Sequence, residues 1–197
     1  DMTDDDFRQS ISLGLEKVAG VAPIGLSAAQ VETLAGIVGE ENIRSDLVAR
    51  LRAGYGSGAI DIIRLRQGII ENIPDIVACP RHKEDVARIV EYCNAQKIPV
   101  YVLGGGSSVT RGFEAVKGGV TLDVSAHMNQ VVAFNEIDQT ITVQPGMYGP
   151  ALEEILNNAP ETLGAARRYT CGHFPQSFEY STVGGWVVTR GAGQNST

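Results

Sequence analysis

Apolar residues recur along this chain with two periods, and the period changes near residue 75. Up to about residue 70 the pattern is helical and irregular. Ser27-Ala28-Ala29-Gln30 has the spacing of a capping box, a hydroxyl with Gln three residues on, so a helix is predicted to start there. Val31, Leu34, Ala35 and Val38 follow at i, i+3, i+4 and i+7 as one face of that helix, and Gly39 ends it. A second short helix is predicted from Asp46 to Ala53. Gly54-Tyr55-Gly56-Ser57-Gly58 then breaks the pattern as a loop.

From residue 75 strands and helices alternate. Ile76 to Cys79 is an apolar run closed by Pro80, which reads as a buried strand. Val86, Ile89, Val90 and Cys93 mark one face of a helix from Lys83 to Gln96. Val100-Tyr101-Val102-Leu103 is a continuous apolar run of the kind found in strands covered on both faces. Strand, helix, strand makes a βαβ unit with a right-handed crossover. Val120, Leu122 and Val124 alternate with Thr121 and Asp123 as a half-buried strand. Val131 to Phe134 and Thr140 to Val143 suggest a hairpin. Pro145-Gly146 leads into a helix with the face Leu152, Ile155, Leu156 and Ala159, and a last helix is predicted near Ser181, carrying Trp186. The fold class is α+β, a βαβ unit plus a mixed sheet. Residues 1–70 read as a helical N-terminal extension to a domain of residues 71–197.

Length and charge narrow the function. A chain of 197 residues, 43% hydrophobic and 20% charged, has room for one large domain or two small ones. Sixteen Lys and Arg against 23 Asp and Glu leave a net charge of −7, which argues against general nucleic-acid binding and against docking on an anionic membrane. An anionic ligand must therefore be held by local geometry. No apolar run approaches the ~18 to 20 residues of a membrane span, and the acidic start Asp-Met-Thr-Asp-Asp-Asp-Phe is unlike a secretory signal. Cys79, Cys93 and Cys171 form no Cys-x-x-Cys pair and read as buried free thiols of a reducing, cytoplasmic compartment. His82, His127 and His173 are scattered, so no metal cluster is predicted.

The 23 glycines change the picture, because they cluster. Gly104-Gly105-Gly106-Ser107-Ser108 directly follows an apolar strand, where positive φ at consecutive glycines would let N–H groups converge on an anion. It lacks the Gly-Lys-Ser/Thr ending of a Walker A loop and the third glycine of Gly-x-Gly-x-x-Gly. A phosphate cradle of a third type and a plain tight connection both remain open for it. The second constellation runs Cys171-Gly172-His173-Phe174-Pro175-Gln176-Ser177-Phe178-Glu179-Tyr180-Ser181-Thr182-Val183-Gly184-Gly185-Trp186-Val187-Val188-Thr189-Arg190. Ser181 or Thr182 can cap a helix whose N-terminus would favour a diphosphate, and Gly184-Gly185 admits a flat ring or a second backbone. Two anion cradles far apart in sequence suggest one extended ligand, as a dinucleotide would be.

The order apolar strand, Gly-Gly-Gly-Ser-Ser, then Ser-Thr-Val-Gly-Gly-Trp-Val-x-Thr-Arg resembles the FAD-binding domain of the vanillyl-alcohol oxidase / p-cresol methylhydroxylase flavoproteins. Within that superfamily, Gly-His-x-Pro-x-Ser-x-Glu-Tyr-Ser-Thr-Val-Gly-Gly-Trp is most similar to the alkyldihydroxyacetonephosphate synthase branch. The similarity runs from about Glu40 to the last residue and includes the lead-in from Tyr55-Gly56 to Ile63-Arg64-Leu65-Arg66. It implies an FAD-binding domain of the p-cresol methylhydroxylase type. Val102, Leu103, Gly104, Gly105, Gly106, Ser107 and Ser108 would hold the pyrophosphate. Gln176, Ser177, Phe178, Glu179, Tyr180, Ser181 and Thr182, with Gly184 and Gly185, would run along the cofactor, and Thr189, Arg190, Gly191 and Ala192 would close over it.

Some superfamily members attach FAD to a histidine in the first glycine loop. Ser107 and Ser108 stand there in this chain, so the resemblance implies non-covalent FAD. His173 is a candidate for a role near the flavin or substrate, or else a structural hydrogen-bonder, and Arg111 and Arg190 could offset phosphate charge or form surface ion pairs. Where the branch has Glu-Pro-Asp-Ser this chain has Phe174-Pro175-Gln176-Ser177, and Thr-Arg-Ala-Ser is replaced by Thr189-Arg190-Gly191-Ala192. The resemblance implies a flavoenzyme acting on small molecules: acyl-dihydroxyacetone phosphate and a fatty alcohol in ether-lipid synthesis, or a 2-hydroxy acid or alcohol in a related dehydrogenase. A non-catalytic flavin-binding module is the third reading. A homo-oligomer, or peripheral membrane association of a longer protein, is compatible with all of these. The chain ends directly after the cluster Gly191 to Gly193, which reads as a cut, so residues 1–197 alone are expected to show no turnover.

Overall fold

A computed structural model describes residues 21–194. The first helix, α1 (Ala28–Val38), starts as its sequence dictates: Ser27 Oγ accepts the Gln30 N–H, and the Gln30 side chain accepts the Ser27 N–H at 2.9 Å. Gly39 ends it at φ 97°. Asp46 caps the short α2 (Leu47–Arg52) by accepting the Ala49 N–H. Beyond the glycine loop lies α3 (Ala59–Arg66).

A four-stranded sheet follows, in the order β1-β2-β4-β3. β2 (Ile76–Ala78), β3 (Val100–Leu103) and β4 (Val120–Asp123) are parallel, while β1 (Ile43–Arg44) pairs antiparallel with β2. The crossover helix α4 (Lys83–Gln96) joins β2 to β3, and β4 inserts between them. A separate hairpin, β5 (Val131–Asn135) with β6 (Thr140–Val143), leads into α5 (Gly149–Asn157), the single turn α6 (Ala159–Thr162) and α7 (Val183–Thr189).

One sheet face carries Ile76, Ala78, Val120 and Leu122 and packs on Leu34, Ile37 and Val38 of α1 and Ile89 and Cys93 of α4. Each Val, Leu or Ile side chain so removed from water contributes roughly 1.5–3 kcal/mol. The N-terminal segment thus supplies both a helix to this core and a strand to the sheet. The opposite face carries Val77 and Leu103, which meet Ala53. The hairpin lobe has its own core of Met147, Leu152, Leu156 and Trp186.

Three burial expectations change for one reason, the position of each element in its layer. β4 is central, so Thr121 and Asp123 are buried along with Val120 and Leu122, instead of the strand being half-buried. β3 is an edge among the described strands, so Val102 is 60% exposed where coverage on both faces was expected. On α4, Ile89 and Cys93 face the core, while Val90 turns outward. Cys79 and Cys93 are buried as expected, and burial pushes the Cys79 thiol up to about 11. Cys171 is exposed, a correction: it lies on a surface strap whose Cys171 N–H donates to Glu153 Oε1 at 2.7 Å.

Helix α3 is polar on its inner side. Asp61 and Arg64 are buried, while Ile60 and Ile63 are exposed. Arg64 pairs with Glu71 at 2.6 Å, Glu114 at 3.3 Å and Asp61 at 3.6 Å. Glu114 also accepts from Arg111 at 2.6 Å and from Asn72 at 2.9 Å. Burial alone raises the Glu114 pKa, but its bonds to Arg111, Asn72 and Arg64 outweigh that and hold it below the ordinary carboxylate range.

Leu122→Ala is expected to cost about 3 kcal/mol, read from the denaturant midpoint, because the cavity would open at the centre of the sheet. The depressed Glu114 pKa gives a second expectation. Its stabilisation is complete above the unfolded value of about 4.3 and is lost as pH falls through the lower folded value. Melting temperature should therefore drop on acidification below about pH 4.3, and Glu114→Gln should flatten that drop while lowering stability at neutral pH.

Candidate cofactor site

Parallel pairing brings the carboxyl ends of β3 and β4 to the same edge, where open α/β sheets bind ligands. From β3 the chain enters Gly104-Gly105-Gly106-Ser107-Ser108, and from β4 it reaches Asp123 and Ser125. Of the three glycines only Gly106 has positive φ, at 69°. Gly105 is needed for a different reason: a Cβ there would overlap the Tyr180 carbonyl. The loop is tied down from the other side by Ser57, whose N–H donates to Ser108 O at 2.9 Å and whose hydroxyl donates to Gly106 O at 3.3 Å. Among the described residues, no backbone or side-chain acceptor takes the N–H groups of Gly104, Gly105, Gly106 or Ser107. Partly exposed donors in a tight loop form an anion cradle.

Leu103, Gly104, Gly105 and Gly106 form one side of a cleft of about 580 Å³, well inside the size range of ligand sites. Val77 and Asp123 of the sheet line it, Ser125 and Tyr148 border it, and Val48, Ala49 and Arg52 of α2 face it. Asp123 Oδ1 accepts from Ser125 Oγ at 2.6 Å and from Ser125 N–H at 3.0 Å, and Oδ2 lies 3.6 Å from Arg44 Nη1. The donors, the apolar wall and the volume fit the diphosphate half of a dinucleotide.

The second motif meets the first directly. Thr182 caps α7 by accepting the Gly185 N–H, and its hydroxyl stands where a Cβ on Gly104 would be. Ser181 Oγ accepts from Trp186 Nε1 at 2.7 Å and donates to Ser177 O at 2.8 Å. The expected anion cradle at the start of α7 is not open, however. The N–H of Val183 goes to Met147 O, that of Gly184 to Pro145 O, and that of Gly185 to Thr182 Oγ1. Those donors close the helix start against the hairpin lobe, so the glycine loop is the one cradle of the two with unengaged N–H groups.

The remaining predicted residues divide. Phe178 stacks on Trp186 at 5.8 Å, and Gln176, Glu179 and Tyr180 are exposed. His173, edge-on to Trp186 at 5.6 Å, lines a second cleft of about 320 Å³ with Arg190, Gly191 and Ala192. Thr189 donates to Gly185 O. Arg111 is clamped to Glu114 and does not line the first cleft. Sequence patterning missed Arg44, Arg52, Ser57, Asp123, Ser125 and Tyr148 as cleft residues. The glycine cluster around Ser57 and the carboxylate closing the apolar run of β4 were the available signals.

Gly105→Val is expected to destabilise the chain by about 1–3 kcal/mol and to abolish ligand retention, because the branched side chain drives the loop away from Tyr180. Thermal melts and ligand titration on one preparation check both; unchanged stability would show that the two motifs are not packed together.

Comparison with known proteins agrees with this geometry. The FAD binding domain family matches residues 74–197. The alkyldihydroxyacetonephosphate synthase of Dictyostelium discoideum is 32% identical over 159 residues, covering 79% of this chain and 24% of that protein. The mitochondrial D-lactate dehydrogenase [cytochrome] of Arabidopsis thaliana is 40% identical over 85 residues, covering 43% of this chain and 15% of its own length. A solved alkyldihydroxyacetonephosphate synthase superposes with a TM-score of 0.83 at 30% identity, covering 92% of this chain and 32% of that one. At 18% identity, p-cresol methylhydroxylase shares the fold, with a TM-score of 0.54 over 71% of this chain and 27% of its own. The chain thus spans about a quarter of the curated synthase it matches. With its α+β architecture, its glycine cradle at the carboxyl edge of a parallel sheet and the match over residues 74–197, the chain belongs to the FAD binding domain family.

Proposed function

We propose that this chain is the FAD-binding part of a flavoenzyme of the alkyldihydroxyacetonephosphate synthase type, and that it holds FAD without a covalent bond. The observation carrying the reading is the glycine loop with unengaged N–H groups on a cleft of about 580 Å³. Bound FAD supplies a redox-active, electrophilic ring, and the protein's part is to place it and set its surroundings.

In this reading Gly104 to Ser107 hold the diphosphate through their N–H groups, and Ser57 and Thr182 keep the loop in place. Leu103, Val77 and Val48 provide the apolar wall, and Tyr148, Asp123 and Ser125 the polar one. The segment Gln176 to Thr182 continues from the cradle along the cofactor. Thr189 to Ala192, beside His173, close the far end. Gly104 to Ser108 contains neither histidine nor cysteine, which removes the nucleophile a covalent flavin link in that loop would need. The similarity to the synthases carries the substrate class over as acyl-dihydroxyacetone phosphate with a fatty alcohol. No helix among the described residues is long and apolar enough to cross a membrane.

Titrating FAD into the chain should quench flavin fluorescence saturably. Acid precipitation of the complex should leave all the flavin in the supernatant as intact FAD. Absence of binding overturns the cofactor role, and flavin remaining in the washed pellet overturns the non-covalent attachment.

A further inference from the structure

The glycine loop supplies dipoles but no charge, whereas the diphosphate it is proposed to hold is a dianion. In a chain of net charge −7, the counter-charge has to be local. Arg111, next to the loop in sequence, is committed to Glu114. Arg190 lines the other cleft. The charged side chains lining the cofactor cleft are Arg44, Asp46, Arg52 and Asp123. Arg44 faces Asp123, Asp123 is bonded to Ser125, and Asp46 caps α2 through the Ala49 N–H. Arg52 alone of the four makes no hydrogen bond or ion pair among the described residues.

We propose that Arg52 is the residue that neutralises the cofactor's diphosphate, so that helix α2 completes a site whose cradle belongs to the family domain. The inference rests on the FAD reading above. It places a ligand-binding residue outside residues 74–197, the stretch that the family match covers. The helix geometry supports it: Val48, Ala49 and Arg52 fall at i, i+1 and i+4, one face of α2, and all three line the cleft. The neighbouring Arg50 and Leu51 are buried on the other side, where Arg50 bonds the carbonyls of Pro74 and Ala22. Arg50 anchors the helix, and Arg52 is left over for a ligand. An arginine suits the task because its planar fork of donors matches a phosphate oxygen pair.

The test compares the wild-type chain with R52M, which keeps the apolar stem, and R52K, which keeps the charge. FAD affinity is measured by flavin-fluorescence quenching at low and at physiological salt, together with the melting temperature of each apoprotein. R52M should bind FAD about tenfold more weakly, with a flatter salt dependence and an unchanged melting temperature. R52K should remain within about threefold of wild type. Riboflavin, which has no diphosphate, should not distinguish the three proteins. If wild type binds FAD and R52M matches it in affinity and salt response, Arg52 has no such role and the cofactor reading stands. Equal losses in R52M and R52K with a lowered melting temperature would make Arg52 structural, also against the proposal. If wild type binds no FAD at all, the cofactor reading falls and the role of Arg52 falls with it.

Discussion

The contact of Gly104 with the Thr182 side chain and of Gly105 with the backbone of Tyr180 and Ser181 is the constraint on which the rest depends. It joins two lobes that otherwise have separate cores, one around the parallel sheet and one around Trp186. Neither glycine could carry a Cβ without overlap, so the loop and the approach to α7 hold each other in position. The loop's N–H groups find no acceptor among the described residues, and the first-turn donors of α7 are already spent on Met147, Pro145 and Thr182. Its own donors are left facing the cleft. The proposed anion cradle is thus the remainder of a packing problem, not the product of a helix dipole.

A second constraint fixes the loop from beneath. Arg64, Asp61 and Glu114 are buried, and together with Arg111, Glu71 and Asn72 they tie α3 to the segment that follows Ser108. A buried ion cluster adds little net stability relative to an apolar replacement, but breaking one partner strands the others. Its effect is positional. Ser57, at the end of the loop that leads into α3, reaches the carbonyls of Gly106 and Ser108. The second half of the glycine loop, Gly106 to Ser108, is therefore referred to the same cluster, the side toward which α3 turns its charges while Ile60 and Ile63 stay outside.

Where local chemistry decides the structure, the sequence was readable. The capping box at Ser27 and Gln30 and the Asp46 cap act within four residues, and the helix from Lys83 to Gln96 is set by its own periodicity. What lay beyond reading were facts of assembly. A two-residue strand such as Ile43–Arg44 has no period to detect. Val100 to Leu103 looks the same whether it sits at the edge or the centre of a sheet, and so does the alternation of Val120 to Val124. At the site, the glycine loop was visible from composition, but the reason for Gly105 was not: it is a carbonyl 75 residues away in sequence, not a positive φ. The cleft wall from Arg44 to Ser57 stayed hidden because its residues are ordinary surface types until the sheet brings them opposite the loop.

Charge placement follows from the same assembly. A chain this acidic cannot draw an anion by its overall field, so the binding free energy must come from groups that are already oriented. Backbone N–H groups meet that requirement at low cost, since their dipoles are fixed by packing before any ligand arrives. The arginines nearest the loop in sequence or motif are unsuited for opposite reasons. Arg111 is held by Glu114, and releasing it would take one of two arginine partners from a buried carboxylate, while Arg190 stands on a different cleft. The counter-charge therefore falls to the helix that the N-terminal segment lays across the cleft, and recognition of the anion becomes a property of the whole assembly rather than of the glycine motif alone.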